Sequence, residues 1–238
     1  MSDLDFWFDP VCPFAWMTSK WVRMVATERD YDVRWRFISL RLLNAKVDYD
    51  RHFPPEYEAG HTAGLKLLRL CAQASADHGE AAVGPLYDAL GTRLWDTAPT
   101  AVAALLSADP HALLAPVLAT AGLPRSLVTA LDDTAWDGLI QAETDAALAL
   151  TGKDVGTPIL HFQPPTGVAF FGPVISRLPA QEQAAALWDN VIGLASFPGF
   201  AELKRSLRER PQLAAFGVAA DAVGLQEDWH SGSRRQKK

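Results

Sequence analysis

The chain has 238 residues, 49% of them hydrophobic and 21% charged, an ordinary composition for a soluble globular protein with room for one large domain or a core with an insertion. A net charge of −6 speaks against general nucleic-acid binding, which needs a basic surface, and no apolar run approaches the roughly 20 residues that span a bilayer. Two cysteines, Cys12 and Cys71, exclude a disulfide framework, and the six histidines show no zinc-ligand spacing, so no metal site is expected.

From the N-terminus, Leu4, Phe6 and Phe8 alternate, which predicts a strand with one buried face. The stretch from Asp9 to Trp16, Asp-Pro-Val-Cys-Pro-Phe-Ala-Trp, follows directly, and then a helical period in which Trp21, Met24 and Val25 share a face. Pro13 suits the first turn of that helix, where a missing N–H costs nothing. Cys12 therefore stands at a helix entrance, near unpaired backbone N–H groups and the positive end of the dipole. A thiol so placed is favoured as thiolate, and Cys12 is expected to titrate below the ~8.5 of a free cysteine. The plainer alternative is an incidental residue at a strand–helix turn. Val33, Trp35 and Phe37 alternate in a second strand, so strand, helix and strand form a βαβ unit with parallel strands. Residues 39–55 lack a steady period and close on the loop signal His52-Phe53-Pro54-Pro55.

Residues 56–150 read as helical throughout. Val83, Leu86, Tyr87, Leu90 and Leu94 mark one amphipathic face; Trp136, Leu139, Ile140, Glu143 and Ala147 mark another helix. Pro99, Pro110 and Pro124 each suit a helix start. Cys71 falls in an amphipathic run, where a small core residue is expected. Strand character returns at 155–162 and 167–172 around Gln163-Pro164-Pro165-Thr166, a hairpin. Pro179 opens a helix with Leu187, Trp188, Val191 and Ile192 on its core face, and a further helix is expected over Phe200–Arg210, stopped by Pro211. The basic end, residues 231–238, is expected to be a disordered tail. The patterns predict an α/β fold in which 1–55 and 151–216 form one discontinuous domain, 56–150 a helical insertion and 217–238 a C-terminal extension.

Gly156-Thr157-Pro158, just before a strand, is the second informative motif, although a proline at a strand start is by itself ordinary. Asp-Pro-x-Cys-Pro-Phe-x-Trp at the first strand–helix turn, the helical insertion, Gly-Thr-Pro, a hairpin and a closing helix together resemble the DsbA-like branch of the thioredoxin superfamily, to about residue 210. Phe-Phe-Gly-Pro-Val-Ile-Ser-Arg and Phe-Ala-Glu-Leu-Lys-Arg are similar to the mycothiol-dependent nitroreductase subgroup of that branch. The resemblance implies a thioredoxin-like core of DsbA type with an inserted all-α domain. It implies Cys12 as the catalytic residue, with Pro13, Phe14, Ala15, Trp16, Thr157 and Pro158 around a bound thiol and a cis Thr157–Pro158 bond facing the sulfur. For Trp16, and for Met17 beside it, core packing is the alternative role. The resemblance further implies a cytoplasmic enzyme, in many members a homodimer, with a low-molecular-weight thiol such as mycothiol as co-substrate and no tightly bound cofactor.

In that branch the loop reads Cys-Pro-x-Cys, whereas this chain has Ala15 at the fourth position. Cys12 can attack a disulfide but has no neighbour to resolve the mixed disulfide. The consistent chemistry is a monothiol oxidoreductase whose partners are a small thiol and an electrophilic or disulfide substrate, with no nucleic acid or membrane. Two alternatives stand beside it. One is a thiol-dependent transferase or isomerase of the kappa-glutathione-transferase and hydroxychromene-carboxylate-isomerase kind; the other is a non-catalytic thiol-binding protein. The opening Ser2-Asp3-Leu4-Asp5 lacks the basic-then-apolar pattern of a secretory signal, which adds to the expectation of a cytoplasmic protein.

Overall fold

In the computed structural model, which describes residues 2–97, 102–152, 154–205 and 207–228, the chain opens with β1 (Leu4–Phe8), α1 (Pro13–Arg29) and β2 (Val33–Phe37). Two short helices follow, α2 (Leu40–Leu43) and α3 (Tyr49–His52). The helical region comprises α4 (Glu56–His78), α5 (Val83–Trp95), α6 (Val102–Ala108), α7 (Pro110–Thr120) and α8 (Asp137–Thr151). After it come β3 (Ile159–Phe162), β4 (Ala169–Phe171), α9 (Gln181–Ala195), and a ribbon of β5 (Leu207–Glu209) with β6 (Gln226–Asp228).

Four strands make one sheet in the order β2-β1-β3-β4. β1 and β2 are parallel, with Phe6 opposite Trp35, as a βαβ unit requires. β3 runs antiparallel to both its neighbours, Leu160 lying opposite Phe6 and Phe170, so the hairpin forms as read. This is the thioredoxin-like α/β arrangement, with α4 to α8 inserted between β2 and β3.

β1 departs from the expected single buried face, because all five of its residues are buried. It is an inner strand of a sheet covered on both sides, and such a strand has no wet face. On one side Trp21 of α1 meets Trp188 of α9 edge-on at 5.4 Å and donates to the Ala184 carbonyl at 3.0 Å. On the other, Trp7 packs with Ile38, Ile159 and Ala147 of α8. Asp5, buried in the same strand, is ion-paired with Arg34 and Arg36 of β2. The helical insertion shares the core of the sheet: Tyr87 of α5 stacks on Phe8, ring centroids 3.8 Å apart. Cys71 is sealed within that core on α4, in the small-residue role expected of it.

Three other expectations are corrected. α9 begins at Gln181 rather than Pro179, and Leu187 is 40% exposed while Ala184 and Trp188 face the core. Residues 201–205 are irregular and 207–209 form β5, so the helix over Phe200–Arg210 does not exist. A helix that short needs an apolar face to bury, and Leu203, its central apolar residue, is 79% exposed; the backbone pairs with β6 instead. Pro110 does open α7, behind the Asp109 cap, but Pro124 precedes a 3-10 segment over Arg125–Asp132. Pro99 and residues 231–238 lie outside the described residues.

Candidate active site

β1 delivers the chain to the loop Asp9–Cys12, which turns into α1 within four residues. The Cys12 N–H donates to the Asp9 carbonyl at 3.0 Å, and the Cys12 carbonyl accepts the first helical bond from Trp16 N–H at 3.0 Å. Cys12 is the N-cap, in extended conformation, with Pro13 following as the first helical residue. Its Sγ accepts the Ala15 N–H at 3.4 Å, which satisfies one of the orphan donors of the helix entrance.

Across the sheet, the Cys12 thiol donates to the Thr157 carbonyl at 3.4 Å. Thr157 precedes Pro158 through a cis peptide, the geometry expected for this motif. Thr157 is itself fixed to β1, its Oγ1 donating to the Trp7 carbonyl at 3.1 Å, and the Pro158 carbonyl accepts the Gly172 N–H at 2.9 Å. Gly172 holds φ at +95°, a value that favours glycine, and joins Pro173 through another cis bond. The Pro173 carbonyl then accepts from Thr18 Oγ1 of α1 at 2.7 Å, which closes a ring of bonds around the sulfur. The helical insertion adds a buttress, since Trp95 Nε1 of α5 donates to the Pro10 carbonyl at 3.0 Å.

Cys12, Thr157 and Pro158 are therefore brought together. Val11, Pro13 and Phe14 stay partly exposed around the sulfur, whereas Ala15 and Trp16 are buried. Trp16 packs against Tyr87 and donates Nε1 to Asp96 at 3.3 Å, and Met17 is buried too, so both serve packing rather than lining the site. Only one thiol stands in the loop, because Cys71 is the other free cysteine and lies in the core. Among the described residues no cluster of three histidine, cysteine or acidic side chains could hold a metal ion.

The electrostatics reverse one expectation. Burial pushes the Cys12 thiol up to about 12 instead of lowering it; the Ala15 and Phe14 N–H groups pull it down, and the negative charge of Asp9 adds to the rise. The helix entrance supplies its donors, but Cys12, only 8% exposed, loses more hydration than they return. Cys12 is therefore a neutral, buried thiol here. Asp9 was not singled out from the sequence; an acid placed between a buried strand and the cysteine loop was the available signal. Its carboxyl is fully buried, and burial raises it to about 7 against the N–H bonds of Leu40 and Val11.

Residues 11–205 fit the family described as "Rv2466c-like: Mycothiol-dependent nitroreductase Rv2466c". The chain is 31% identical over 207 residues to "Uncharacterized protein Rv2286c" of Mycobacterium tuberculosis (strain ATCC 25618 / H37Rv), covering 86% of this chain and 82% of that one. A solved 2-hydroxychromene-2-carboxylate isomerase superposes with a TM-score of 0.51 at 16% identity, over 79% of this chain and 93% of its own. That likeness speaks for the fold alone. By the match of residues 11–205 to its model, the chain belongs to the Rv2466c-like, mycothiol-dependent nitroreductase family.

Proposed function

We propose that this protein is a cytoplasmic oxidoreductase that works through a single sulfur, Cys12, with a low-molecular-weight thiol of the mycothiol kind as co-substrate. One observation carries the reading: the Cys12 Sγ lies at the entrance of α1, 3.4 Å from the Thr157 carbonyl, in a loop whose fourth position is Ala15. Family membership supports the small thiol, and the buried Cys71 supports a cycle with no internal resolving partner.

The cycle has two exchanges. A substrate entering between Phe14 and the Thr157–Pro158 turn displaces the hydrogen bond from the thiol to the Thr157 carbonyl. Cys12 gives its proton to water and attacks a disulfide sulfur; the Cys12–S–S bond forms, the substrate S–S bond breaks, and one thiolate leaves. A small thiolate then attacks the sulfur bonded to Cys12. When the substrate is a mixed disulfide of the small thiol and its small-thiol half is retained on Cys12, the products are free Cys12 and the small-molecule disulfide. Each turn then frees one substrate thiol and consumes one added small thiol, the second coming from the substrate itself. During the thiolate stage the N–H groups of Phe14 and Ala15 hold the charge.

A second reading has its own support, because Cys12 donates a hydrogen bond as a neutral thiol. In a thiol-dependent transferase or isomerase the residue at the helix entrance orients a bound thiol and does not itself react. Exposure to an oxidised small thiol followed by intact-mass analysis separates the two. One thiol added at Cys12, absent in Cys12→Ser, supports the oxidoreductase. Saturable thiol binding by calorimetry with no covalent adduct supports the transferase and overturns our reading. Neither adduct nor binding overturns both.

A further inference from the structure

Asp9 is a buried acid that the exchange cycle does not use. It leaves the end of β1 fully buried, and among the described residues its carboxyl is met by two backbone N–H groups and no cation. Oδ1 accepts from Val11 N–H at 3.1 Å, inside the loop that carries Cys12. Oδ2 accepts from Leu40 N–H at 2.8 Å, at the junction of β2 and α2. Its main-chain carbonyl takes the Cys12 N–H. α4 closes the remaining side: a Cβ on Gly64 would come within 2.5 Å of Oδ1 and 2.6 Å of Val11 Cγ2, so only a glycine lets the helix lie there. A buried carboxyl without a cation is costly when ionised, and a plain structural anchor for two N–H groups needs no charge.

We infer that Asp9 is a positioning residue for Cys12: it fixes the loop that presents the sulfur, and its charge governs how readily that sulfur gives up its proton. The inference rests on the reading of Cys12 as the reacting group. The titratable groups facing Asp9 are Cys12 on its own loop, Tyr49 on α3, Cys71 on α4 and Tyr87 on α5, and a charge on Asp9 opposes the ionisation of each. Arg41 on α2 is engaged elsewhere, with Glu58 and the ring of Tyr49. Burial brings Asp9 to about 7, so the carboxyl changes charge near neutral pH. Below that point Cys12 has a neutral acid behind it. Above it a carboxylate sits in the same low-dielectric pocket and holds the proton on sulfur.

The test is the rate of Cys12 alkylation by iodoacetamide against pH, with the modified cysteine located by peptide mass mapping. It needs no small thiol and no substrate, so it reads Asp9 independently of the proposed exchange cycle. Wild-type protein is expected to show a flattened segment in its logarithmic rate profile near neutral pH, where ionisation of Asp9 offsets the gain in hydroxide. Asp9→Asn keeps the volume and one acceptor; it should lose that segment and react about tenfold faster above pH ~8, equivalent to one pKa unit. An unchanged profile in Asp9→Asn, or a slower one of the same shape, overturns the inference and leaves a structural anchor. Should Asp9→Asn fail to fold, the infrared carbonyl stretch of wild-type protein decides. A protonated-carboxyl band that titrates near neutral pH and shifts when Cys12 is alkylated supports the coupling, and a band indifferent to alkylation refutes it.

Discussion

The thiol of Cys12 and the carbonyl of Thr157 are 3.4 Å apart although 145 positions separate them in the chain. The pairing joins the two motifs of the site, because β1 carries the cysteine loop on one side and pairs with β3, which follows Thr157–Pro158, on the other. The sulfur is held between a helix entrance that favours its anion and a buried setting that favours its proton. Burial outweighs the helix entrance, so the thiol keeps its proton in this structure.

Restoring a second thiol should change the chemistry. Ala15 is fully buried one turn into α1, and its N–H reaches the Cys12 sulfur. Ala15→Cys should form an internal disulfide on exposure to oxidised small thiols, with loss of two hydrogens by intact mass and no lasting mixed disulfide. The added sulfur should destabilise the reduced protein by roughly 1–3 kcal/mol in urea, as extra volume in a packed core does. A persistent Cys12 adduct in this variant would show that position 15 cannot resolve it.

Stability against pH should depart from the usual acid profile. Asp9, raised to about 7, binds a proton in the native state that the unfolded chain has already lost, so its contribution falls as pH rises from about 4 to about 7. His61, lowered to about 4 chiefly by burial and next by Arg41, does the reverse: the unfolded chain holds the extra proton, and stability rises from about 4 to about 6.5. The two slopes oppose each other in wild-type protein. Urea unfolding of Asp9→Asn should expose the rise from His61, and that of His61→Gln the fall from Asp9. Parallel profiles in all three proteins would contradict the assigned shifts.

The α1–α5 contact should be intolerant of a single methyl group. A Cβ at Gly91 would lie 2.1 Å from the ring of Trp16, which anchors the first turn of α1 behind the site. Gly91→Ala should cost roughly 1–3 kcal/mol in urea and slow Cys12 modification by shifting the helix entrance. Wild-type stability and rate in that variant would place Trp16 outside the support of the site.

Much of this architecture was legible because local pattern and tertiary role coincide. Leu4, Phe6 and Phe8 mark a strand wherever it sits, Pro13 marks a helix start, and Gly156-Thr157-Pro158 marks the turn that meets the sulfur. What stayed hidden depends on neighbours that periodicity does not report. Asp5 and Trp7 look solvent-facing in an alternating strand, yet ion pairs and α8 cover them. Leu203 and its neighbours read as helix, but Leu203 is exposed and gives such a helix no apolar face to bury. The state of the Cys12 thiol is hidden for the same reason: the helix entrance is visible in sequence, whereas the burial that outweighs it comes from elements far along the chain.

The most direct test of a one-sulfur cycle is the fate of the mixed disulfide once formed. Wild-type protein carrying one small thiol on Cys12 is mixed with reduced thiol, and the adduct is followed by quenched-flow mass spectrometry. The account predicts decay at a rate proportional to thiol concentration, with one small-molecule disulfide released per Cys12 freed. Decay independent of added thiol, or an adduct that persists as a dead end, would contradict it.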